Sequence, residues 1–99
     1  AVTELKSNLT DLTGFINGSN YITQTADRAV LNYTATQDCW INITVNATGI
    51  EIKIDNGALP VATLSGSASA LSSIVLPLKT GQTITSSSAI RIANVFPML

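Results

Sequence analysis

The stretch Cys39–Asp55, CWINITVNATGIEIKID, decides the fold class. Cys39, Ile41, Ile43 and Val45 alternate with Trp40, Asn42, Thr44 and Asn46. After Ala47-Thr48-Gly49, Ile50, Ile52 and Ile54 alternate with Glu51, Lys53 and Asp55. Successive side chains of a strand point to opposite faces, so this run carries one aliphatic face, which must be core, and one polar face. The turn chemistry between the two runs predicts a hairpin.

Outward from this unit the period of two holds from Gly14 to the C-terminus. Candidate strands are Tyr21–Thr25, Ala29–Thr34, Cys39–Asn46, Ile50–Asp55, Pro60–Leu64, Ser72–Leu78, Gln82–Thr85 and Ala89–Phe96. Turn formers fill the breaks: Ala26-Asp27-Arg28, Thr36-Gln37-Asp38, Asn56-Gly57, Gly66-Ser67 and Thr80-Gly81. Many short strands at this spacing predict an all-β, jelly-roll-like antiparallel β-sandwich, not a βαβ fold. Ile74, Leu76 and Leu78, with Ile90 and Ile92, are expected to supply the facing sheet. Pro77 has no amide hydrogen and predicts an edge or a bulge.

Residues 1–13 read differently. Val2, Leu5, Leu9 and Leu12 fall at spacings of three, four and three, an a/d seam among mostly polar neighbours. Gly14 is a plausible stop. The expectation is a short N-terminal coiled-coil helix over 1–14, preceding a β domain over 15–99. These four apolar residues are its oligomerisation candidates. A helix this short is marginal alone, so it leans on partner helices or, in the competing reading, on its own sheet. The pattern is under way at Ala1, which reads as a fragment whose upstream shaft has been removed.

Ninety-nine residues suit one domain with a modest core. Charged residues are only 11% of the chain, against about 25% in a typical domain. With a mean hydropathy of +0.35, such a chain is poorly protected against self-association, which favours surface buried in an oligomer. The five basic residues, Lys6, Arg28, Lys53, Lys79 and Arg91, are scattered, so nucleic-acid binding is not expected. No apolar run nears the roughly 20 residues of a membrane span, so no membrane insertion is expected. Cys39 is the sole cysteine and leaves no internal disulfide.

Catalytic chemistry is sparse. The chain has no histidine, which excludes Ser-His-Asp and Cys-His systems. Cys39, on the aliphatic face, reads as an inert buried thiol. The acids Glu4, Asp11, Asp27, Asp38, Glu51 and Asp55 sit mostly at turns or on exposed faces, where solvated carboxylates are ordinary. No metal spacing or phosphate loop is present, so no enzyme activity and no cofactor are expected. Five N-x-S/T sequons, at Asn8, Asn17, Asn32, Asn42 and Asn46, follow from a composition rich in Asn, Thr and Ser. Trp40 shares its face with Asn42 and Thr44, either as packing at a subunit interface or as a stacking platform for a flat ligand such as a sugar. The serine-rich segments 65–73 and 86–88 are expected to be flexible loops. Together Trp40, Asn42, Ser67, Ser69 and Ser87 are the candidate ligand-binding residues.

Three segments carry a family resemblance. YTATQDCWINITV (33–45) resembles the stretch that opens a long strand in C-terminal domains of bacteriophage tail proteins. LPLKTGQTI (76–84) resembles their Pro-Leu-Lys-x-Gly-Asp turn, shared by C1q- and tumour-necrosis-factor-like jelly rolls. VFPML (95–99) resembles their closing strand. The likeness runs from Tyr33 to Leu99, with Cys39 where glycine is usual and Gln82 where aspartate is usual. The resemblance implies a homotrimer with helices bundled on the axis and β domains at the tip. It further implies a virion location in a phage or prophage tail fibre or baseplate, and attachment to a carbohydrate or protein receptor on the host cell surface. A purely structural virion module and a bacterial surface adhesin are the alternatives.

Overall fold

Among the described residues, alternating segments form six strands: β1 (Thr23–Thr34), β2 (Cys39–Val45), β3 (Ile50–Ile54), β4 (Ala62–Leu64), β5 (Ser72–Leu78) and β6 (Thr83–Pro97). This is a computed structural model, and it describes residues 22–98. The expected helix 1–14, with Val2, Leu5, Leu9 and Leu12, lies outside the described residues, as does Tyr21. All strand pairs are antiparallel.

The pairing is organised around β6. One of its edges is followed by β1 from Thr23↔Val95 to Thr34↔Thr83. Its other edge holds two strands in tandem, β3 on 84–86 and β2 on 92–97. Outside these, β4 pairs with β3 and β5 with β2. The 15 residues of β6 would span about 50 Å if straight. Yet both flanks bond to one short connector: Ala35 N–H donates to the Gln82 carbonyl at 2.9 Å, and Met98 N–H donates to the Asp38 carbonyl at 3.2 Å. Ala35 and Asp38 are only about 11 Å apart at full stretch, so β6 must double back.

The doubled sheet makes a sandwich. Its first layer is the start of β1, the end of β6, then β2 and β5; its second is the end of β1, the start of β6, then β3 and β4. This pairing order fits a jelly-roll arrangement of eight short strands. Ile41, Ile43 and Val45 from the first layer and Ile50, Ile52 and Ile84 from the second are at most 2% exposed and share one core cluster. Burial of such side chains stabilises by about 1.5–3 kcal/mol each.

Several expectations are corrected. The hairpin 39–55 does not form, because β2 and β3 bond to successive halves of β6 and not to each other. Alternation fixes which face is core, and an arch between two layers satisfies it as well as a hairpin does. The two strands expected on either side of 26–28 are one strand, with an extra residue between Gln24 and Ala26 and a left-handed Arg28 (φ 54°). The two strands expected around 86–88 are likewise one. There Ser86–Ser88 is a bulge instead of a flexible loop, because Ser86 Oγ accepts the Leu31 N–H at 2.8 Å and donates to the Ser88 carbonyl at 2.7 Å. Ile74, Leu76 and Leu78 do not face β2 across the core; their strand is its neighbour in the same layer. Ile90 is buried, but past the bend Ala93 and Val95 point inward and Ile92 outward. Pro77 does lie on an edge strand, as its missing donor requires.

Candidate functional surface

Registers place the outward side chains of the first layer in rows that cross its four strands. Trp40 pairs with Phe96 on one side and Pro77 on the other in an apolar row, and Ile22, just before β1, donates its N–H to the Val95 carbonyl at 2.7 Å. Next comes Gln24, Asn94, Asn42 and Val75, then Asp27, Ile92, Thr44 and Ser73. Trp40 and Phe96 are half-buried, whereas Ile22 and Val75 are each 37% exposed. Cross-strand pairs of this kind contribute about 0.2–1 kcal/mol each. Asp27 is the single charged residue in these rows, and Arg91 Nη1 donates to it at 2.8 Å.

The outward face of the second layer is a contrast. It carries Asn32, Thr34, Glu51, Lys53, Thr63, Thr83 and Thr85. Thr34 and Thr83 share a hydroxyl hydrogen bond at 2.8 Å. Charges and hydroxyls here suit water.

The five ligand-binding candidates are not brought together. Trp40 and Asn42 are on the first layer's outer face, with Trp40 at the rim where β1 begins and β6 ends. Ser67 and Ser69 belong to the connector from β4 to β5 at the opposite, bent end, and Ser87 is in the β6 bulge. Their hydroxyls serve the backbone and each other: Ser67 Oγ accepts the Ala70 N–H at 3.1 Å and lies 3.3 Å from Ser69 Oγ, while Ser87 Oγ accepts the Glu51 N–H at 2.9 Å. Ser65 Oγ similarly accepts the Gly49 N–H at 2.9 Å.

A feature that strand patterning does not reveal lies at the rim. Asp38 Oδ1 accepts both the Thr80 N–H at 2.9 Å and the Thr80 hydroxyl at 3.0 Å, tying two connectors together. These two bonds, the amide first, outweigh the opposing effect of burial and, with Lys79 adding least, hold its carboxyl below the usual aspartate range. Asp38, Pro77, Leu78, Lys79, Gln82 and Met98 line a shallow cavity of about 350 Å³ beside it. Cys39 is fully buried, and that burial, followed by the nearby Asp38, pushes its thiol pKa up, away from a reactive thiolate. Among the described residues no three His, Cys, Asp or Glu side chains gather as a metal set. No family model matches this chain, and comparisons with curated proteins and with solved structures find no match either.

Proposed function

We propose that this chain is a non-enzymatic display module, the trimeric tip domain of a phage tail fibre or baseplate protein that attaches to a host surface. One observation carries the reading: the sandwich is polar end to end. Residues 1–21 join it at the rim, through Ile22, while the bends 46–49, 65–71 and 86–88 stand at the other end. A stalk meeting the rim would therefore present the bends outward. Low charge and the a/d seam at Val2, Leu5, Leu9 and Leu12 support assembly, and the sequence likeness supports the tail-fibre setting.

Light scattering on the full chain should give a trimer, and a clean monomer at micromolar concentration would overturn the reading. Attachment should appear as binding to host cells or a glycan array that is lost when bend 65–71 or Trp40 is changed. The second reading, a structural virion module without a receptor, is favoured by the internal use of the Ser67 and Ser87 hydroxyls. It predicts a trimer that binds neither cells nor glycans.

A further inference from the structure

Resting on the assembly reading above, we infer that the outer face of the first layer is where copies of this chain meet one another. Its rows contain tryptophan, phenylalanine, proline and valine across three adjacent strands, unlike the hydroxyl and charged rows of the second layer. Such a patch of apolar and amide groups, depleted in charge, has the composition of an interface centre.

A second copy fits it better than an unlike partner for three reasons. The only charge in the rows, Asp27, is already paired with Arg91 at the third row, so bringing two such faces together juxtaposes no unpaired like charges. The amides of Asn42, Asn94 and Gln24 both donate and accept, which lets a face satisfy its own copy. The first described residue, Ile22, is also held to this layer, its N–H donating to the Val95 carbonyl at 2.7 Å, and it is 37% exposed.

Val75 is the substitution site that tests this, because its side chain is 37% exposed and points away from the core. In the chain of 99 residues, Val75→Arg and Asn42→Arg should each raise the dissociation constant of the assembly at least about tenfold by sedimentation. Thr63→Arg, on the second layer, should leave it unchanged. Far-ultraviolet circular dichroism and melting temperature separate these effects from misfolding. Trp40 is the sole tryptophan, so its emission should shift to the red when wild type is diluted to the monomer. An assembly that tolerates both arginines, with Trp40 emission independent of concentration, would overturn this face while leaving the display reading intact. A wild-type monomer, as expected if residues 1–21 or a different protein cover the face, overturns both.

Discussion

Asp38 is the residue whose chemistry reaches furthest, since one carboxyl oxygen joins the β1–β2 connector to the β5–β6 turn through Thr80. A carboxyl whose pKa is depressed in the folded state binds fewer protons there than in the unfolded chain. Its contribution is complete above the ordinary aspartate value of about 3.9 and is lost as pH falls through the lower folded value. Urea midpoints measured from neutral pH down to about 2 should therefore drop in acid, and Asp38→Asn should flatten part of that drop. Gly66 makes a second single-residue case. A Cβ there would stand 2.7 Å from the Val45 carbonyl oxygen and 2.9 Å from the Ser72 nitrogen, both backbone atoms. Gly66→Ala should cost about 1–3 kcal/mol by denaturant unfolding. Gly49 has open space but a φ of +68°, so Gly49→Ala should cost about 1–2 kcal/mol through backbone conformation alone.

Among the elements, β6 makes the sandwich. It contacts β1, β2 and β3, and its bulge at Ser86–Ser88 lies where the layers fold over. Within that bulge only Ser86 is buried, and its hydroxyl serves a buried N–H of Leu31. Ser86→Ala leaves this donor without its acceptor and should cost about 1–3 kcal/mol. Ser87→Ala, whose Glu51 N–H partner is exposed to water, should cost under about 1 kcal/mol by the same unfolding measurement. Equal losses would mean that the bend does not depend on Ser86. The Asp27–Arg91 pair flanks the same bend, but as an exposed ion pair it should contribute no more than about 1 kcal/mol.

On the scale of the whole molecule, the two outer faces differ, one carrying charges and hydroxyls and the other apolar and amide rows. Leu9→Asp, in the segment outside the described residues, should weaken trimerisation if helices gather the copies, read by light scattering at equal concentration. If copies meet through both the seam and the first-layer face, its effect and that of Val75→Arg should reinforce each other by the same measurement. Unchanged assembly in Leu9→Asp would favour a helix lying on its own sheet.

The alternation of Cys39–Val45 and Ile50–Ile54 was enough to determine the all-β class and the inward residues, because side-chain direction along a strand is a local property of the backbone. The same alternation could not say which strands pair. Hydrogen-bond partners of β2 and β3 come from residues thirty or more positions away in β6, and a hairpin and an arch bury the same isoleucines. The division of the surface followed the same limit. Trp40 was legible as a residue on the wrong face for core, but its row with Phe96 and Pro77 exists only once three distant segments are set in register. Serines at 67, 69 and 87 looked like free loop hydroxyls, since composition does not reveal which backbone donors the folded chain brings to them. Local stereochemistry determined strands and faces; the long-range doubling of β6 decided layers, bends and which side chains share a row on each outer face.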